Sequence, residues 1–121
     1  MPTLLFIYGT LKRGQSRAFA MAGQRFLGEA RTAPRYRMVR CRDAYPGLID
    51  VENDRKTAGL AIEGELWQVD DDCLATLDYI EGVEVGLFTR RPVDVQDVSG
   101  PVYAYFFNGD VTDLPDCGTR W

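Results

Sequence analysis

Five apolar residues in a row, Leu4-Leu5-Phe6-Ile7-Tyr8, follow Thr3, and a run of this length predicts a central strand buried on both faces. It leads straight into Gly9-Thr10-Leu11-Lys12-Arg13-Gly14, where glycines mark a backbone that turns tightly or approaches something closely. Ser16 to Ala22 reads as a short helix capped by Ser16 and stopped by Gly23. Strand character returns over Phe26 to Thr32 and Tyr36 to Cys41, interrupted at Pro34. Tyr45-Pro46-Gly47 predicts a turn opening into a short strand at Leu48-Ile49, and Asp50 to Lys56 is a polar hairpin loop. Ala58 to Val69 mixes apolar and polar positions around Gly59 and Gly64, the pattern of a bulged or strongly bent strand.

The period then changes. Leu74, Leu77 and Ile80 recur at three-residue steps with Cys73 on the same face, which predicts a helix over Asp72–Ile80. An aspartate of Asp70-Asp71-Asp72 serves as its N-cap, and the acidic cluster suits the positive end of the helix dipole. Leu87 to Val98 and Val102 to Asn108 alternate again as two strands joined at Ser99-Gly100-Pro101. The tail, from Asp110 to Trp121, is irregular and ends on an aromatic ring fit to dock on the body. Strands outnumber helices, with no repeat and no linker, so the expected class is α+β: one domain over residues 1–121 with a strongly bent sheet.

Composition narrows the chemistry. The 121 residues are 45% hydrophobic, enough for one core. A net charge of −4 argues against a nucleic-acid partner, which needs a concentrated basic face. The first third is locally basic through Arg13, Arg17, Arg25, Arg31, Arg35, Arg37, Arg40 and Arg42, read as a solvated face or as a subsite for a carboxylate-bearing ligand. No apolar run reaches the length of a membrane span and no charged leader precedes the first strand, so a soluble, cytoplasmic protein is expected. Cys41, Cys73 and Cys117 form no C-x-x-C pair, so neither a disulfide framework nor a metal site is expected. There is no histidine. Imidazole bases and His-dependent triads are therefore excluded, and proton chemistry falls to carboxylates, Tyr, Lys or Cys.

Three stretches in order, Phe6-Ile7-Tyr8-Gly9-Thr10-Leu11-Lys12-Arg13-Gly14-Gln15, Gly64-Glu65-Leu66-Trp67-Gln68-Val69-Asp70 and Leu77-Asp78-Tyr79-Ile80-Glu81-Gly82, are followed by Phe88 and Arg90. With these motifs, and with Tyr45-Pro46-Gly47 and Gly118-Thr119-Arg120-Trp121, the chain resembles the γ-glutamylcyclotransferase-like superfamily, which includes γ-glutamylamine cyclotransferases and AIG2-like proteins. The resemblance implies a small bent mixed β-barrel flanked by short helices. It also implies a cofactor-independent reaction: the α-amino group of a γ-glutamyl compound attacks its own γ-carbonyl, releasing 5-oxoproline and a free amine.

Carried over residue by residue, the resemblance makes Glu81 the general acid/base and Tyr8, Gly9, Thr10 and Leu11 the substrate-binding loop, with Phe88 in the pocket wall. Glu81 has local support. It ends the helix before Gly82 and follows apolar Ile80, and both a negative helix end and burial raise a carboxyl pKa. The amides of residues 9–11, at a strand end, are suited to hold a carboxylate or an oxyanion. Glu63, Glu65, Asp78 and Glu84 are rival carboxylates; Glu65 is expected to be structural or at the surface, and Asp78 to be a partner of the site. Phe88 departs from the Tyr common at this position, leaving Tyr45, Tyr79 or Tyr103 to supply the hydroxyl. That departure sustains an alternative from another class, an AIG2-like small-molecule binding module with little or no catalysis.

Overall fold

The computed structural model describes residues 2–121. The apolar run becomes β1 (Thr3–Ile7), at the centre of a seven-stranded mixed sheet. It pairs antiparallel with β5 (Glu63–Val69), Ile7 opposite Glu65, and parallel with β7 (Tyr103–Phe107) at Leu5 and Tyr103. Beyond β5 lies β2 (Arg25–Arg31); beyond β7 lie β4 (Tyr45–Asp50) and then β3 (Tyr36–Cys41). β6 (Phe88–Pro92) pairs antiparallel with β7 off this path.

The sheet is not the closed barrel expected. Its two edges, β2 and β3, form no ladder with each other. Isolated bridges, Thr32 to Val95 and Tyr36 to Leu60, link the strand ends instead.

Alternation along β1 builds two cores. Phe6 and Tyr8 join Tyr36, Met38, Leu48, Ile62 and Phe106, a cluster that the bent sheet wraps around. Leu5 and Ile7 point the other way, to Trp67, Val69, Phe88 and Tyr105. Met21 and Leu77 bring the two helical elements onto this second cluster. Those elements are a 3-10 turn (Ala18–Met21) and α1 (Asp71–Ile80).

Four boundaries differ from expectation, each for a local reason. The segment after Ser16 is only the 3-10 turn; Arg17 rather than Ser16 holds the cap position and no side chain caps it. Tyr45-Pro46-Gly47 lies inside β4, because the turn falls earlier, at Arg42 (φ 53°) and Asp43 (φ 56°), closed by Ala44 N–H to the Cys41 carbonyl at 3.0 Å. The long strand from Leu87 ends at Pro92, where the chain passes to a new partner and Gln96 N–H bonds the Arg31 carbonyl at 2.9 Å. The ladder of β5 starts only at Glu63, since Leu60 bridges Tyr36 and Ile62 N–H donates to Thr32 Oγ1 at 2.9 Å. The helix conforms: Asp70 accepts from Cys73 N–H at 2.7 Å and caps it. Trp121 packs against the first core cluster. No described helix is long and apolar enough to cross a membrane.

Candidate active site

Gly9 is a glycine because of proximity. A Cβ there would stand 2.6 Å from Cγ of Pro46, so the chain leaving β1 lies directly against β4. Beyond it, Lys12 N–H bonds the Gly9 carbonyl at 3.0 Å and Arg17 N–H the Thr10 carbonyl at 2.8 Å. The amides of Gly9, Thr10 and Leu11 have no acceptor in that network among the described residues. The turn is clamped from the side by Glu65, a buried carboxylate on β5. Glu65 accepts from the Arg13 backbone N–H and Nε, both at 3.1 Å, and from Trp67 Nε1 at 3.1 Å. Arg13 then lies 3.6 Å over the Phe26 ring. The structural role expected for Glu65 is thus a latch on the loop.

The second wall comes from the end of α1. Gly82 takes φ +68°, and its N–H reaches the Tyr79 carbonyl at 3.1 Å while Val83 N–H reaches that of Asp78 at 3.0 Å. This pair of bonds is a Schellman motif with Glu81 as the C-cap residue. The motif stops the helix and fixes the backbone from which the Glu81 side chain projects.

Turn and helix end meet at one cavity of about 80 Å³. Tyr8, Gly9, Thr10 and Leu11 line it together with Glu81 and Phe88. The remaining walls are largely apolar, among them Phe6, Ile7, Pro46 and Ile80. Burial raises the Glu81 carboxyl to about 7, with the Arg17 guanidinium opposing the shift. Glu81 has no side-chain hydrogen-bond donor among the described residues, so its carboxyl is free to exchange a proton with a guest. Tyr8 contributes its ring and backbone only. Its hydroxyl donates to the Tyr105 carbonyl at 2.5 Å and accepts from Leu48 N–H at 3.1 Å, so it holds three strands together. Burial, and next the Glu81 charge, pushes this phenol's pKa upward.

The Phe88 ring packs against Tyr45 and Phe107, with centroids 5.9 and 5.6 Å away. A tyrosine not among the three first considered also borders the cavity. Tyr105 lines the cavity and donates to Asp78 Oδ1 at 2.7 Å. Arg90 grips the same carboxylate at 3.0 and 3.1 Å, so Asp78 is saturated and anchors the wall. Burial and this hydrogen bond raise the Tyr105 pKa, keeping the phenol protonated. The alternation Tyr103-Tyr105-Phe107 was the available signal, because it placed Tyr105 on one face with Tyr103. Of the three tyrosines first considered, Tyr45 lines the cavity, and Tyr79 is 76% exposed. Arg17 also lines it and was singled out only as one of a basic group.

The rival carboxylates are placed elsewhere. Glu84 is exposed, while Glu63 and Glu65 face a separate polar cavity beside Lys12 and Arg120.

The bent mixed sheet thus sets a carboxyl-bearing helix end beside a glycine turn, around one cavity. Residues 5–121 match the family described as gamma-glutamyl cyclotransferase, AIG2-like, and the chain belongs to that family. A Vibrio cholerae protein provisionally named a gamma-glutamylcyclotransferase is 30% identical over 118 residues, covering 98% of this chain and 95% of its own. Gamma-glutamylaminecyclotransferase A of Danio rerio is 33% identical over 102 residues, or 79% of this chain and 60% of that protein. In three dimensions, an AIG2-like protein from Mus musculus superposes with a TM-score of 0.80 at 23% identity, covering 99% of this chain and 88% of its own.

Proposed function

We propose that this protein is a cofactor-independent cyclotransferase that converts a γ-glutamyl amine or a related γ-glutamyl compound to 5-oxoproline and the free amine. The observation that carries the reading is one carboxyl, Glu81, raised to about 7 in the same cavity as the Gly9–Leu11 turn. Family membership and the names of the relatives support the reaction class.

The substrate supplies its own nucleophile, and correct orientation of such a reaction is worth roughly 7–11 kcal/mol of barrier. The protein's task is to bend the glutamyl chain, manage protons and stabilise the oxyanion. Ionised Glu81 takes a proton from the α-ammonium, freeing the amine to attack the γ-carbonyl. A nitrogen–carbon bond forms, and the turn amides donate to the developing oxyanion. As the intermediate collapses, Glu81 gives its proton to the leaving nitrogen and the old carbon–nitrogen bond breaks. The attacking nitrogen sheds two protons in all: one completes the leaving amine, and the second protonates that amine or passes to water.

A carboxyl with a pKa near working pH suits both directions of transfer. The apolar walls favour a neutral Glu81 until a cationic ammonium arrives. Incubation with a panel of γ-glutamyl amines, followed by mass spectrometry, tests the proposal. 5-Oxoproline in amounts equal to the released amine is expected. Binding across the panel with no product would contradict it in favour of a binding module.

A further inference from the structure

Glu81 and Arg17 are the only charged side chains among the described residues lining the cavity. Neither forms an ion pair or a side-chain hydrogen bond with a described residue, although the Arg17 charge acts on Glu81. Arg13 pairs with Glu65, Arg35 with Asp50, Arg37 with Asp116 and Arg90 with Asp78, all at 2.7 to 3.1 Å. Arg17 forms no ion pair and no side-chain hydrogen bond with a described residue, although it is half-buried. Its backbone is tied to the turn through the bond to Thr10. A half-buried guanidinium whose nearby carboxyl stands at about 7 recovers little of its lost hydration until a permanently ionised anion enters.

We propose that Arg17 is a specificity-determining residue that binds the α-carboxylate of the glutamyl head, so that the site takes γ-glutamyl compounds only when that carboxylate is free. The inference rests on the cyclotransferase reading and deepens it. A γ-glutamyl head is a zwitterion, and Glu81 with Arg17 presents the opposite pair. Charge balance adds a second reason. Once Glu81 has accepted the ammonium proton, acid and amine are both neutral, and the α-carboxylate remains the one negative charge in the cavity. Without Arg17 that charge would stand alone among apolar walls, and the proton transfer would be opposed. With the carboxylate on Arg17, the amides of residues 9–11 are left for the oxyanion. A guanidinium also matches a planar carboxylate with two parallel hydrogen bonds, which an ammonium cannot do.

The test has a binding arm and a kinetic arm, each run on wild type, Arg17→Gln and Arg17→Lys after thermal melting shows that all three fold. In the binding arm, calorimetry compares 5-oxoproline with 2-pyrrolidinone, which differ only in the carboxylate. Arg17→Gln should weaken 5-oxoproline about tenfold to a hundredfold and leave 2-pyrrolidinone unchanged, and Arg17→Lys should recover part of the loss. Failure of wild type to prefer 5-oxoproline, or equal loss on both ligands, overturns the proposal. In the kinetic arm, Arg17→Gln should raise KM for a γ-glutamyl amine by a similar factor, far more than it lowers kcat. An unchanged KM overturns it. A wild type that binds 5-oxoproline through Arg17 but forms none from any γ-glutamyl amine would refute the cyclotransferase reading and leave the carboxylate subsite standing.

Discussion

Glu81 carries two opposed influences, the loss of hydration in the cavity and the nearby positive charge of Arg17. Burial prevails, and the carboxyl stands at about 7 rather than the ordinary 4.5. If the proposed reaction starts from ionised Glu81, kcat/KM climbs as pH rises through about 7 and levels off above it. A profile that stays flat from pH 5 to pH 9 would exclude this carboxyl as the base. Stability should move the opposite way. A folded-state pKa above the unfolded one means that the native protein keeps a proton the unfolded chain has lost. The charge on Glu81 therefore costs the fold nothing below about pH 4.5 and destabilises it progressively as pH rises to about 7. Glu81→Gln should gain melting temperature relative to wild type across that window, while its turnover falls about 10²–10⁴-fold. Melting curves whose difference does not change with pH would contradict the linkage. At this scale the sequence was informative where the family resemblance reached: it singled out Glu81 among several carboxylates, and the helix end before Gly82 lent only local support. Arg17 and Tyr105 did not stand out, since a lone arginine and one tyrosine among several carry no mark of the surface they share.

Two elements hold the cavity in shape, and each depends on one replaceable residue. The end of α1 depends on Gly82. An alanine would face φ +68° and place its Cβ 3.2 Å from that of Leu87, so Gly82→Ala should lower stability by about 1–2 kcal/mol in urea titration. It should also reduce turnover, because the same backbone aims Glu81. The turn after β1 depends on Glu65. Glu65→Ala leaves a buried Trp67 Nε1–H and the Arg13 N–H without their acceptor, a cost of about 1–3 kcal/mol. Faster hydrogen exchange at the Arg13 amide in that variant is the expected signature; unchanged exchange would mean that the latch is idle. Both devices were half visible in the chain. A glycine after Leu77 and Ile80 announces a helix stop, but nothing in Gly64-Glu65-Leu66 tells which partner the carboxylate will find 52 positions away.

The whole molecule is organised by β1, whose alternating side chains feed both cores. Leu5 is fully buried in the cluster that seats α1, and Leu5→Ala should cost about 2–5 kcal/mol. Val85→Ala, at an 83% exposed position, should change stability by less than about 0.5 kcal/mol. Denaturation midpoints of the pair check this contrast. The apolar run Leu4 to Tyr8 made the central strand legible, as alternation did for β7. Strand pairing was not, because which edges meet is decided by contacts between distant segments. A barrel was expected, and β2 and β3 remain separate edges, with isolated bridges from Thr32 to Val95, from Tyr36 to Leu60 and from Val39 to Asp116. Even without closure, Pro46 of β4 lies against Gly9, and both line the cavity.

One isotope experiment reaches the heart of the account, namely that the substrate's amine and not water attacks the γ-carbonyl. A γ-glutamyl amine is incubated with wild type and with folded Glu81→Gln in water enriched in oxygen-18, and the products are weighed by mass spectrometry. Attack by the amine gives unlabelled 5-oxoproline from wild type and far less of it from the variant. Glutamate carrying oxygen-18 in its γ-carboxylate, or equal product from both proteins, would contradict it.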